Sequence, residues 1–462
     1  VKKRILLCWA VFSVYPFLYA QIDISPSLYE AIESALDKSN EIRHRQMEIE
    51  KLQLQEKSVW NTYVPKVEGT ALYSYFDGRL TMDIPTVTTP SENIQLFEGK
   101  TSFDNYGNIF HGSILAKTVI FSGFQIVNGA KAIQRKTEGM QHLLDAGKDV
   151  VVREVIHTFD QLTLLDEAEK VINGSEKRLA AEASRVGRAV EQGLAIPYDR
   201  DKISLARLEL KMRRTELKGK RDVLYQKIHY LTGYSREQAV NVQNKVTPYL
   251  ITDEKILSIA GKQEIKALES FREAQEYLLK KEKGSYFPTI GAFGGLTYSS
   301  LFDGSFTTPT IPLLDRSLNL GLNQATLGPN WLIGLGLRWE IFSGFERHHK
   351  ISEAKINVRQ LQDQIDDTRE KLQLLLDNNY ANVRVLNEKI EIASQQEKIA
   401  QNNVNISVKQ YQQGLIGISE RLESENDLLK SSMNRVNIII EQRQATLETL
   451  LATGKLMHFI SR

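Results

Sequence analysis

The sequence predicts an α+β fold in which pairs of half-apolar strands are set between very long helices, with the whole plan present twice. Three observations predict it. The first is the run from Trp331 to Glu340. Trp331, Ile333, Leu335, Leu337 and Trp339 are bulky and apolar, while Leu332, Gly334, Gly336, Arg338 and Glu340 are, Leu332 apart, small or charged. Period-two alternation marks a strand with one apolar and one wet face. About ten residues with a tryptophan at each end suit a tilted membrane strand held between interfacial aromatic belts. The second observation is repetition. Phe121-Ser122-Gly123-Phe124, Gln192-Gly193-Leu194 and Thr232-Gly233 recur 221 positions later as Phe342-Ser343-Gly344-Phe345, Gln413-Gly414-Leu415 and Thr453-Gly454. The third is the heptad seam Ile351, Ala354, Val358, Leu361, Ile365, Thr368, Leu372 and Leu375, which predicts a long coiled-coil helix.

The 462 residues accommodate two copies of this plan, and a hydrophobic content of 42% excludes a bundle of apolar membrane helices. The continuous apolar run is N-terminal: Lys2, Lys3 and Arg4 precede Ile5 to Leu18, and cleavage is expected after Ala20. That is the pattern of a secretory signal peptide over 1–20. Cys8, the only cysteine, lies inside it, so no disulfide or thiolate metal site is expected in the mature chain. Without the three leading basic residues the net charge falls from +2 to −1, which speaks against a nucleic-acid partner.

The first repeat is read as 21–233. Ser25-Pro26 opens a helix over about Ser27 to Lys57. Pro65 precedes a strand from Val67 to Phe76, closed by an Asp77-Gly78 turn. A polar loop is expected over 79–110, a second strand from His111 to Ile120, a helix from Phe124 to about Val190 and another from Tyr198 to Leu231. Residues 234–262 read as a linker with minor structure of its own. The second repeat, 263–454, follows the same order: a helix to Lys283, a strand from Pro288, a polar loop over 299–329, the Trp331 strand, a helix to Gln412 and a last helix to Thr453. The tail is 455–462. Tyr63-Val64-Pro65 and Tyr286-Phe287-Pro288 correspond at an offset of 223.

Four membrane strands cannot close on themselves, and an open edge in hydrocarbon leaves backbone groups unpaired at several kcal/mol each. The barrel must be shared between chains. Eight strands would be filled by side chains, whereas twelve from a trimer leave a channel.

The ordered set of features resembles the TolC-type outer-membrane efflux proteins over nearly the whole mature length. It comprises the duplication, two strands per copy, the F-S-G-F sequences and the glycine-centred helical breaks. Ala31-Ile32, Ala35-Leu36 and Asn40-Glu41-Ile42 also suit that family's opening helix. The resemblance implies a homotrimer with a twelve-stranded transmembrane β-barrel, continued by a long periplasmic α-helical coiled-coil barrel and an equatorial region. It further implies a passive exit duct in the outer membrane of a Gram-negative bacterium. Its partners would be a periplasmic adaptor of the membrane-fusion class and an inner-membrane transporter of RND or ABC type. No enzyme activity and no cofactor are expected. The competing reading is a periplasmic structural coiled-coil protein with a soluble sheet.

Several residues are singled out. The glycine turns with Gly193, Leu194, Gly414, Leu415 and Gly417 are candidate adaptor-docking tips; a plain helix connection is the bland alternative. Glu420 and Glu423 share a helix face and, counted from Gly414, stand where the family carries an acidic pair lining the closed entrance. Glu425 and Asp427 are read as extending that cluster. A solvated acidic first turn is the other reading. Asp199 and Tyr411 match half of a family latch, whose arginine is replaced by Ile416; an ordinary aspartate in a helix's first turn and a packed tyrosine are the other reading. Phe121, Gly123, Phe342 and Gly344 form strand-to-helix joints, with Gly344 expected to absorb the bend. Trp331 and Trp339 are candidate membrane-interface aromatics, with Arg338 and Glu340 on the lumen side. His348-His349 is not a metal site, because adjacent helical positions diverge.

Overall fold

A computed structural model describes residues 24–88, 95–251, 257–311, 315–454 and 456–460. The expected leader, with Cys8, lies outside the described residues. The chain folds as two compact units: a sheet unit of Leu52–Arg135 and Glu273–Arg359, and a helical unit formed by the rest.

In the sheet unit, β1 (Lys66–Thr88), β2 (Gln95–Phe121), β3 (Thr289–Thr307) and β4 (Asn319–Arg338) form one sheet in the order β1-β2-β3-β4. Every pairing is antiparallel. Among the described residues, the outer edges of β1 and β4 therefore face no other strand. These strands are about twice as long as expected. The segments read as polar loops, 79–110 and 299–329, largely continue the ladders, and Asp77-Gly78 sits inside β1 opposite Tyr106 and Asn105. The reason is physical. Thr, Ser and Asn at alternating positions suit a pleated sheet with water on its faces, and hydroxyl pairs such as Thr81 with Ser102 at 2.9 Å bridge the strands there. Asp303, at φ 50, falls where the β2–β3 register shifts, a bulge and not a hairpin turn.

The register carries the duplication into three dimensions. Lys66 faces Lys117, and Thr289 faces Arg338. Lys117 and Arg338 are 221 apart, so β1 and β3 correspond at an offset of 223. Left-handed residues recur on the same rule: Gly123 and Phe124 with Gly344 and Phe345, Gly193 with Gly414, and Gly233 with Gly454.

At each joint two consecutive residues hold positive φ, 62° and 63° at Gly123-Phe124 and 60° and 69° at Gly344-Phe345. Gly344 thus shares the bend with Phe345, a conformation rare for a bulky residue. An edge-on ring contact braces each one, Phe121 with Phe124 at 5.4 Å and Phe342 with Phe345 at 5.6 Å. Ser122 and Ser343 then start the helices by accepting from Gln125 and Glu346 through their carbonyls.

Among the helices, several of which run from one unit into the other, the expected opening helix is two, α1 (Pro26–Lys38) and α2 (Asn40–Trp60). Ser39 leaves helical geometry at ψ 115. Next come α3 (Gln125–Glu191), α4 (Pro197–Thr232), α5 (Arg236–Asn241) and α6 (Gln263–Gly284), then α7 (Glu346–Gln412), α8 (Ile418–Thr453) and α9 (Leu456–Phe459). α3 and α7 each have 67 residues, roughly 100 Å at ~1.5 Å per residue. Along α7 the buried seam departs from the expected heptads after Ile365. Leu375 is exposed and Leu376 buried, followed by Val383, Leu386, Ala393, Ala400 and Val404. An added four-residue step, a stutter, moves the stripe round the helix.

The core of the helical unit joins Leu28, Ile32, Ile156, Phe159, Ile228, Tyr249 and Leu447 from α1, α3, α4, the linker and α8. The linker is held by α8 side chains. Arg443 donates to Asp160 at 2.6 Å, to the carbonyls of Lys245 and Thr247, and to Asn244, and its guanidinium lies 3.9 Å from the Tyr249 ring centre. Gln442 brackets the Tyr249 backbone as donor and acceptor. Arg443 and Asp160 are both almost wholly buried. Arg443→Ala strands a buried carboxylate and frees the linker. It is expected to lower the unfolding free energy by about 3–5 kcal/mol, read as a fall in the denaturation midpoint, with Asp160→Asn in the same chain recovering part of the loss.

Candidate functional site

The two helix breaks of the helical unit have one geometry. α3 ends at Glu191 and α7 at Gln412. Gly193 (φ 72) donates to the Val190 carbonyl and Leu194 to that of Ala189, at 2.7 Å. Gly414 (φ 73) donates to Tyr411 and Leu415 to Gln410, at 2.9 Å. This is the Schellman pattern, which satisfies the last helical carbonyls and requires a left-handed residue, best supplied by glycine. A Cβ on either glycine would meet nothing within 4 Å, so backbone conformation and not crowding selects them. Both turns therefore present an outward leucine: Leu194 is 78% and Leu415 67% exposed. Pro197 starts α4 at a position where its missing N–H costs nothing. Gly417 caps α8 and donates to the Glu420 carboxylate at 3.0 Å.

Beneath the turns Val186, Ile203 and Ile418 bury together with Tyr411 against them. Burial first, and then the nearby Asp199 charge, push the Tyr411 phenol above its ordinary value. Among the described residues, no hydrogen bond joins Asp199 of α4 to Tyr411 of α7, which stand near enough for the charge of one to act on the other. Glu420 and Glu423 are both exposed. Glu420 is occupied in capping its own helix, and Glu423 borders a groove with Lys202, Leu205 and Glu209 of α4.

Glu425 does not extend the acidic cluster. It is buried, accepting from Arg178 at 2.7 Å and from Arg421 at 3.0 Å. Burial raises its carboxyl, but the hydrogen bonds and charges of the two guanidinium groups outweigh that and hold it below the usual range. Arg421 is only 1% exposed, and its Nε and Nη1 have no hydrogen-bond partner among the described residues. A second buried acid, Glu182, pairs with Arg185 at 3.3 Å one helical turn away. Sequence reading missed this ionic layer. The i,i+4 spacing of Arg421 and Glu425 was available as a signal, but Arg178 lies 247 residues away and nothing local announces it.

In the sheet unit, Trp331, Ile333, Leu335 and Leu337 are all exposed on one face of β4, and Trp339 just beyond it is exposed too. Trp339, one residue past the strand, donates its indole N–H to the Tyr286 carbonyl at 3.1 Å. Arg338 and Glu340 are exposed, and Glu340 pairs with Arg347 at 3.5 Å. His348 and His349 stand edge-on at 5.9 Å. Among the described residues, no group of three or more His, Cys, Asp or Glu is arranged to hold a metal, and no helix is long and apolar enough to cross a membrane.

Comparison with known proteins gives the architecture a context. Residues 258–454 match the family described as outer membrane efflux protein. No curated protein matches the sequence. Among solved structures, the Campylobacter jejuni CmeC outer membrane channel superposes with a TM-score of 0.70 at 14% identity, over 93% of this chain and 86% of that one. The Vibrio cholerae outer membrane protein VceC gives 0.69 at 13%, over 92% and 96%. The open state of the Neisseria gonorrhoeae MtrE outer membrane channel gives 0.64 at 12%, over 96% of each chain. At these identities the likeness is one of fold.

The ionic layer sets a pH limit. A carboxylate depressed in the folded state adds stability above its unfolded pKa, and that stability is lost as pH falls through the lowered folded value. Glu425→Gln leaves Arg421 buried without a counter-charge. A loss of about 3–5 kcal/mol is expected at neutral pH, shrinking as pH falls through the lowered folded value, where the native carboxylate also gains its proton; Arg421→Met with Glu425→Leu should restore most of it. Thermal denaturation of the three proteins across pH checks this.

Proposed function

We propose, from the match of residues 258–454 to the outer membrane efflux protein family, that three copies of this chain form the outer-membrane exit duct of a tripartite efflux or type I secretion system. The observation that carries the reading is the four-stranded antiparallel sheet with two open edges and an exposed apolar face ending in tryptophans. Hydrocarbon does not tolerate such edges, so each must meet another copy. Three copies give twelve strands and leave an aqueous lumen. The expected signal peptide accords with export to the outer membrane. The duct catalyses nothing and conducts what its partners deliver.

The glycine turns supply the contact with a periplasmic adaptor. A Schellman turn with an outward leucine lets a helical hairpin approach the backbone closely. The adaptor links the duct to an inner-membrane transporter, of RND or ABC type, that provides the energy. At the entrance Glu420 and Glu423 from three copies place six carboxylates around one constriction, a ring that favours cations. Asp199 and Tyr411 hold α4 against α7 there and oppose widening.

Two measurements in planar bilayers test this reading. Glu420→Gln with Glu423→Gln is expected to reduce cation-over-anion permeability at least threefold; unchanged selectivity removes these residues from the lumen. Asp199→Ala with Tyr411→Phe is expected to raise single-channel conductance, and a value equal to that of the parent protein removes the latch. The duct itself is tested by heat-modifiable migration and by pore formation in either assay. A protein that extracts without detergent and forms no pore is not a duct.

A further inference from the structure

We infer that the seam between copies is a residue-by-residue repeat of the junction inside the chain, with β4 of one copy paired antiparallel to β1 of the next and Leu335 opposite Tyr73. The inference rests on the proposed shared barrel but adds the register, which closure alone leaves free.

The internal junction is β2 beside β3. Gly112 faces Tyr298, Ile114 faces Leu296 and Ala116 faces Gly294. β4 corresponds to β2 at 221 and β1 to β3 at 223 in the same part of the sheet. Carrying the pairs across gives Ile333 opposite Tyr75, Leu335 opposite Tyr73 and Leu337 opposite Ala71 of the second copy. The side chains agree. Ile333, Leu335, Leu337, Tyr73 and Tyr75 are all exposed within one chain, and this register sets them on a common face. A slip of one residue would put each apolar side chain beside a polar-face neighbour.

The joints supply an independent sign. Gly123 is buried because the end of α6 crowds it: a Cβ there would lie 2.2 Å from the Gly284 carbonyl oxygen and 2.8 Å from Phe287. Gly344, with the same backbone, has nothing within 4 Å of that position. What fills the first site is a turn in which Phe287 donates to the Gly284 carbonyl at 3.1 Å. Its counterpart at 223 is the turn after α2, where Val64 donates to the Asn61 carbonyl at 3.0 Å. Asn61 and Val64 are exposed. So the second joint lacks its filler, and the first repeat displays one uncovered.

The helical unit repeats the pattern on its own residues. Within the chain Ile172 of α3 packs with Leu429 of α8. The counterparts are Ala393 of α7, which already packs with Leu386 and Ala445 inside the chain, and Leu208 of α4, which is exposed. Around them α7 exposes Val385, Ile392, Ile399 and Ile406 at seven-residue spacing, and α4 exposes Leu205, Leu208 and Met212. These are two unpartnered stripes on the helices that the same rule brings together between copies.

Disulfide trapping reads the register. Residues directly opposite in an antiparallel pair have Cβ atoms about 4.5–5.5 Å apart, and diagonal neighbours about 7–8 Å, while a disulfide needs about 3.5–4.5 Å. In full-length protein carrying Cys8→Ser, Leu335→Cys is combined in turn with Ala71→Cys, Tyr73→Cys or Tyr75→Cys. A second series combines Gly336→Cys with Thr70→Cys, Leu72→Cys or Ser74→Cys, which samples the other class of ladder pair. Detergent-solubilised protein is oxidised and resolved on denaturing, non-reducing gels. Covalent oligomers are expected at least tenfold faster from 335 with 73 and from 336 with 72 than from their flanking pairs. A faster flanking pair in both series overturns the register and leaves the shared barrel intact. Native-sized oligomers with no crosslink from any pair overturn the β4–β1 seam. A Cys8→Ser parent that is monomeric in detergent overturns the shared barrel itself.

Discussion

The backbone of a strand has to be paired on both sides when no water can reach it. Among the described residues of this chain, β1 and β4 are paired on one side only. The consequence reaches well beyond the sheet. Under the proposed membrane reading it excludes a free-standing chain in the bilayer and ties the number of copies to the lumen they leave. Burying the edge also removes a template for uncontrolled strand addition. The exposed apolar face of β4 adds the second half of the argument, since a row of Trp, Ile and Leu side chains is favourable only against lipid or another chain.

The duplication survives most clearly in backbone conformation. Joint, tip and helix-end glycines recur at one offset with matching left-handed dihedrals, whereas the side chains around them have diverged. Gly233 lies near the aliphatic stem of Lys38, but a Cβ on its counterpart Gly454 would strike the Lys262 backbone at 2.7 Å. Geometry that only glycine adopts without strain resists drift, and packing does not. That difference explains why three short motifs sufficed to find the repeat.

Charge inside the helical unit serves a different end. Arg443 with Asp160 ties the linker to α8 and α3, and Arg178, Glu425 and Arg421 join α3 to α8 below the tips. Such groups add little net stability compared with an apolar filling, but losing one partner is costly. They therefore specify which helix faces meet. In a structure made of long, similar helices, heptads alone permit several registers, and a buried ion pair between fixed positions removes that freedom.

Much of the fold was legible in the sequence. Period-two alternation gave the lower half of each strand, heptads gave α7, and the glycine motifs gave the breaks and joints. The upper strands were not legible, because Thr, Ser, Asn and Gly beyond the apolar band read equally well as loop, and only cross-strand pairing decides between them. The helix break at Ser39 and the stutter after Ile365 were hidden for a similar reason: each follows from what the helix packs against. Of the candidate site, the glycine turns could be located in advance. The role of Glu425 could not, since its partner is supplied by a helix 247 residues earlier. By itself the sequence determined local conformation and its repetition, which depend on neighbouring residues and on glycine's freedom. Only the tertiary structure decided which acids are buried and which strand edges and helix stripes stay unpaired, because those are properties of distant segments brought side by side.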